Sequence, residues 1–185
     1  MVTPHPPAGP QNQAALPTDW AVQLLTARYI IEGALPIPET RLVGHLNNSV
    51  HATLTLHNGQ LLSLGAQATH FRKPLLEVTI PKPSLIVLIP RDAAGVRSAL
   101  SQIPERTERA IIHAGPFLVR GAFHLPGNMP LHHLFNVGGG DMLPLTEVEI
   151  RCQLLGARIT TLHAEVVVLN KSIVHLYHPG DAFES

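Results

Sequence analysis

Apolar and polar positions alternate along much of this chain, and the alternation recurs at a fixed spacing. Tyr29, Ile31, Gly33, Leu35 and Ile37 take every second position of RYIIEGALPIP at 28–38, and Phe117, Val119, Gly121, Phe123 and Leu125 do the same in PFLVRGAFHLP at 116–126, an offset of 88. A period of two puts such residues on one face of a β-strand. Each segment therefore predicts a strand, closed by Pro38 in one case and Pro126 in the other. The same offset pairs His45, Leu46 and Asn48 with His133, Leu134 and Asn136, which predicts a short helical turn ended by an asparagine in the left-handed conformation. It also pairs LEVTIPKPSLIVLIP at 76–90 with AEVVVLNKSIVHLYH at 164–178. Two apolar runs about a tight polar turn predict a hairpin in each.

Recurrence at one spacing is the mark of an internal repeat, and it decides two ambiguous segments. TDWAVQLLTAR at 18–28 resembles a capped helix by local propensity, but its counterpart TERAIIHAGP at 107–116 alternates and contains Ile111 and Ile112, so both are expected to be strands. Between the matched anchors the register slips, and Leu54 and Leu56 align best with Val148 and Ile150 at an offset of 94. DAAGVRSALSQIPER at 92–106 has helix-forming Ala, Leu and Arg before a proline and predicts a helix over about 93–102.

The expected fold is mainly β: two tandem antiparallel units of five or six short strands, each curled to bury one face. A small SH3-like or Sm-like barrel is the expected closure, with a pair of packed half-open sheets as the alternative. The expected organisation is a Pro-rich disordered tail over 1–18, a first unit over 19–91, a helical linker over 92–106, a second unit over 107–179 and a tail over 180–185.

The second unit, with VRGAFHLPGNMPLHHLFN, LPLTEVEI and AEVVVLNKSIVHLYH, resembles an uncharacterised bacterial family of small β domains. That family shows a G-x-hydrophobic-HLP segment, a leucine-rich turn ending in asparagine, and a hydrophobic-N-[KR]-x-x-I closing hairpin. The first unit matches it more loosely, with Pro36 in place of His124 and Lys82-Pro83 in place of Asn170-Lys171. The resemblance implies no activity. The closing segment is also similar to the second signature of Sm-like proteins, but the aspartate, asparagine and arginine-glycine with which those proteins hold RNA are absent.

Charge narrows the partners. Lys plus Arg and Asp plus Glu each number 13, and the balance is about +2 over 19–91, zero over 92–106 and over 107–179, and about −2 in the C-terminal tail. Binding nucleic acid by counterion release needs a basic face; no such excess exists, and nucleic acid is not the expected partner. One cysteine, Cys152, rules out an internal disulfide framework and makes a reducing cytoplasm the expected location. The N-terminal segment has no positive n-region or apolar core of a signal peptide. No apolar run approaches the roughly 20 residues of a membrane span.

Twelve histidines are the compositional oddity. They show no H-E-x-x-H and no Cys/His pair set, so no metal site and no cofactor is expected. A site assembled from different strands would draw on His124, His133 and His175. The repeat singles out His45 and His133, expected to cap their local turns, and Glu77 and Glu165, expected at solvated strand positions. The triglycine at 138–140 before Asp141 lacks the lysine and hydroxyl of a phosphate loop and reads as a plain loop. Cys152 lacks the context of a nucleophile, and no G-x-S-x-G occurs, so no catalytic residue is assigned. Trp20, Tyr29, Phe117 and Phe123 fall on expected core faces, which leaves few stacking platforms for single strands.

These features point to a non-enzymatic protein-interaction or scaffolding module, offering strand edges to a protein partner or to a second copy. The alternative is a small-ligand, metal or nucleic-acid binding domain of Sm-like or SH3-like type. The candidate binding surface comprises His45, His124, His133, Arg151 and His175.

Overall fold

The computed structural model describes residues 18–37, 41–65, 75–101, 103–136, 139–154 and 161–180. The first half contains β1 (Thr18–Thr26), β2 (Tyr29–Ile37), α1 (Leu42–Asn47), β3 (Thr53–Ser63), β4 (Leu75–Pro81), a 3-10 turn (Lys82–Ser84) and β5 (Leu85–Pro90). After α2 (Ala93–Leu100) come β6 (Thr107–Ala114), β7 (Phe117–His124), α3 (Leu131–Asn136), β8 (Met142–Cys152), β9 (Thr161–Asn170), a 3-10 turn (Lys171–Ile173) and β10 (Val174–Pro179). The same order of element types thus occurs twice. Of the expected tails over 1–18 and 180–185, residues 1–17 and 181–185 lie outside the described residues, and Thr18 belongs to β1 rather than to a tail.

The strands form one ten-stranded antiparallel sheet in the order β10-β6-β7-β8-β9-β5-β1-β2-β3-β4. This differs from the expected pair of closed barrels: the sheet is open, and it runs from one half into the other where β5 meets β9 through Val87 opposite Leu169 and Leu88 opposite Val168. The cause is legible in β5 itself. All six residues of LIVLIP are buried, so the strand needs cover on both faces and a neighbour on both sides. Ile86, Val87 and Ile89 enter one hydrophobic core, and Leu85 and Leu88 enter the other. β9 divides in the same way, with Val167 and Leu169 in the first core and Val166 and Val168 in the second.

The segments at 76–90 and 164–178 are not hairpins. β4 pairs with β3 and β5 pairs with β1 and β9, while β9 pairs with β8 and β5 and β10 pairs with β6. In each case the 3-10 turn makes a corner that carries the chain to a different place in the sheet. The segments expected to resist a helical reading are strands, since β1 and β6 each lie between two hydrogen-bonded neighbours.

The register between halves also changes. Pairing is broken between Glu32 and Ala34 on β2, and between Arg120 and Ala122 on β7, which leaves Gly33 and Gly121 opposite bulges in β3 and β8. The bulges carry the two non-glycine residues with positive φ among the described residues, Asn58 and Glu147, each at 53°. These positions are 89 apart, which replaces the offset of 94 for this strand. Asn48 ends α1 in extended conformation, φ −67° and ψ 114°, rather than left-handed. Its side chain instead accepts from the Val50 amide at 3.0 Å.

Asp92 caps α2 and staples it to the sheet: its carboxylate accepts from the Gly95 amide and from the Ala21 amide, both at 2.6 Å. Ser98 of α2 accepts from the Leu42 amide at 2.9 Å, which fixes α1 beside it. Among the described residues no helix is long and apolar enough to cross a membrane.

Candidate functional site

Among the described strands only β4 and β10 have a free side, and both border one cavity. Its volume is about 620 Å³, and its walls include Val78, Thr79, Ile80 and Pro81 from β4 and Ile173 and His175 from the start of β10. The β1–β2 turn supplies Thr26, Ala27, Arg28 and Tyr29, and Ile31, Leu61 and Ile86 add apolar surface. Among the described lining residues Arg28 is the sole permanent cation, and none carries a carboxylate. Large apolar side chains are exposed on both edges: Leu75 and Leu76 on β4, Leu176 on β10, and Tyr29 at the mouth. Tyr29, expected in the core, is 37% exposed because it follows the turn at the rim.

A second, polar cavity of about 250 Å³ sits where the halves meet, bordered by Asn47, His51, Lys82, Asp141, Asn170 and Ser172. Two of its groups, Asn47 and Asn170, join the halves. Asn47 Nδ2 donates to the Met142 carbonyl at 3.0 Å and its Oδ1 accepts from the Met142 amide at 2.9 Å. Asn170, 2% exposed, donates to the Leu85 carbonyl at 2.9 Å and accepts from the Ser172 amide at 3.0 Å. Lys82 Nζ donates to the carbonyls of His45 at 3.2 Å and Asn48 at 2.8 Å, and burial holds its pKa below the usual lysine value. Lys171 Nζ reaches the Leu134 carbonyl at 3.4 Å, so a lysine clasps the end of the short helix in each half.

The structure does not gather the five residues singled out by sequence. His45 is buried at the polar junction, its ring 6.0 Å from that of His51. His124 is held at both nitrogens, with Nδ1 donating to the Pro104 carbonyl at 2.7 Å and Nε2 hydrogen-bonded to the Thr146 hydroxyl at 2.9 Å. His133 is exposed on α3 against the ring of His132. Arg151 and Arg120 both hold the buried Glu149, each at 2.9 Å. Of the five, His175 alone lines the larger cavity.

Among the described residues no group of three or more His, Cys, Asp or Glu side chains comes together as metal ligands. Glu77 and Glu165 are exposed strand residues, and Cys152 is a half-buried free thiol. Gly138 lies outside the described residues. Gly140 packs so closely on Asn47 that a Cβ there would overlap its side chain, which gives the glycine a packing role in the junction. Sequence reasoning missed Arg28, Tyr29 and the β4 edge. The signal for the β4 edge was the exchange of buried Val167 and Leu169 in β9 for Thr79 and Pro81 at the matching positions of β4, since an edge strand tolerates polar residues and proline.

No protein-family model, curated protein or solved structure matches the chain.

Proposed function

We propose that this chain is a non-enzymatic interaction module that binds a protein partner through its two open sheet edges. The observation that carries this reading is that β4 and β10, the unpaired ends of the sheet, border the same largely apolar cavity. Free strand edges present unpaired amides and carbonyls, and exposed Leu76 and Leu176 add apolar area beside them. Each half is read as one copy of a duplicated five-stranded β module. The twofold occurrence of the same element order and of the same bulge supports that reading. A free Cys152 suits a reducing cytoplasm.

Small-ligand binding is the second reading, favoured by a cavity volume of 620 Å³ within the range of about 300–1,000 Å³ usual for such sites. Selection of random peptides displayed on phage against the immobilised full chain separates the two. Enrichment is expected with the native chain and not with the double variant Leu76→Lys, Leu176→Lys, whose melting temperature serves as the folding control. Absence of enrichment, or enrichment indifferent to both lysines, sinks the partner reading.

A further inference from the structure

We infer that the cavity takes one extended peptide segment of alternating apolar and acidic residues, laid as a strand between β4 and β10 and hydrogen-bonded to their free edges. This rests on the interaction-module reading and specifies the chemistry of the partner.

The argument starts from the β5–β9 junction, which is already closed. There Val87 faces Leu169 and Leu88 faces Val168. At the 88-residue spacing the corresponding residues are His175 and Leu176 on β10 and Pro81 and Ile80 on β4. The second junction would therefore join the start of β10 to the end of β4, and that is where the cavity lies. Leu88 is fully buried by its junction, whereas Leu176 is 55% exposed. The position is filled by a leucine in both halves and covered in only one.

The volume suits a strand. With a rise of about 3.3 Å per residue, about 4.8 Å between strands and about 10 Å between layers, one residue of a packed strand takes roughly 160 Å³. The 620 Å³ cavity then holds about four residues. Main-chain partners are available on β4. The Lys82 amide donates to the Ala52 carbonyl at 2.9 Å, which makes Lys82, Ile80 and Val78 the residues bonded to β3. Thr79 and Glu77, between them, direct their amides and carbonyls to the free side. Pro81 offers a carbonyl only.

Charge selects the side chains. Among the described lining residues, Arg28, His175 on β10 and the Tyr29 phenol are the cationic or titratable groups, and none is acidic. Ile31, Leu61, Ile80, Ile86 and Ile173 form the apolar wall. A segment that turns valine-like side chains inward and carboxylates toward Arg28 satisfies both.

The test uses the full chain and a fluorescein-labelled octapeptide of alternating valine and glutamate, read by fluorescence anisotropy. Saturable binding is expected, with slowed amide exchange at Glu77 and Thr79. A peptide of alternating valine and lysine, and a valine–glutamate peptide N-methylated at its valines, are each expected to bind at least about tenfold more weakly. Arg28→Glu, in an exposed turn, is expected to remove the preference for glutamate over lysine while the melting temperature holds. Equal binding of the N-methylated peptide, tighter binding of the lysine peptide, or protection away from β4 and β10 overturns the inference. So does concentration-dependent self-association that protects Glu77 and Thr79 without peptide, because the occupant is then a second copy. If phage selection gives edge-dependent binders but the valine–glutamate peptide does not bind, this inference fails alone; if selection gives none, the module reading fails with it.

Discussion

At the scale of single residues, the polar side chains that matter are amides and a lysine at the junction rather than the histidines. Asn170 is buried, and its amide bonds the Leu85 carbonyl while its oxygen receives the Ser172 amide. Asn170→Leu removes the partners of those buried groups, at a cost of about 1–3 kcal/mol, to be read as a lower urea midpoint with unchanged slope. Lys82 carries a pH dependence of definite sign. Burial lowers its folded pKa beneath the unfolded value of 10.5, so between the two the unfolded chain binds more protons. Stability relative to a Lys82→Met reference is therefore expected to rise as pH climbs from the folded pKa toward 10.5, with the burial penalty complete below that window. Denaturation midpoints of both proteins from neutral to alkaline pH check this; a difference that falls with pH contradicts it. The exchange of Lys82-Pro83 for Asn170-Lys171 was visible in the sequence, but not its meaning, because the partners of Lys82 and Asn170 are backbone carbonyls that composition does not reveal.

At the scale of elements, the bulged strand pairs show what a pattern of alternation does and does not encode. Gly33 and Gly121 sit where the opposite strand crowds in: a Cβ on Gly121 would stand 3.1 Å from Val148 Cγ2 and 3.3 Å from the Thr146 carbonyl oxygen. Gly121→Ala is therefore expected to cost roughly 1–3 kcal/mol by overpacking. Glu147 sits in the left-handed region at φ 53° and makes an exposed ion pair with Arg109. Glu147→Gly relieves that backbone strain and is expected to stabilise by up to about 1 kcal/mol, and thermal melts of the two variants should move in opposite directions. Strands and their matched glycines were legible because period two survives any choice of neighbour. The 3-10 corners were not, since two apolar runs around Lys82–Ser84 look alike whether they pair with each other or with distant strands. The 94-residue alignment of Leu54 failed for a related reason: a bulge adds a residue to one strand, and apolar pattern alone does not locate it.

At the scale of the whole molecule, the two halves recur in element order but share their interiors. One core combines Leu25, Ile30, Ile86 and Val87 with Phe117, Val119, Phe123 and Val167, and the other combines Trp20, Leu24, Leu54 and Leu88 with Met142, Val166 and Val168. Repetition in the sequence suggested closed units because each half has enough alternating strands for one; it did not show that β5 and β9 are apolar on both faces for the sake of each other. Cutting the chain in the linker would expose Val87 and Leu88 on one side and Val168 and Leu169 on the other, all of them fully buried in the intact chain. Each side chain contributes about 1.5–3 kcal/mol when buried, which is a large share of the 5–15 kcal/mol that ordinary domains possess. A unit of this small size has little margin to absorb such a loss. The segment 19–91 alone is therefore expected to give a collapsed proton–nitrogen spectrum, while the full chain unfolds in one calorimetric transition with equal calorimetric and van't Hoff enthalpies. Mixing the two separated halves should restore dispersion if the β5–β9 junction re-forms. Well-dispersed spectra from 19–91 alone, or two resolved transitions in the intact chain, would mean that each half holds its own core and that the continuous sheet is only a contact between them.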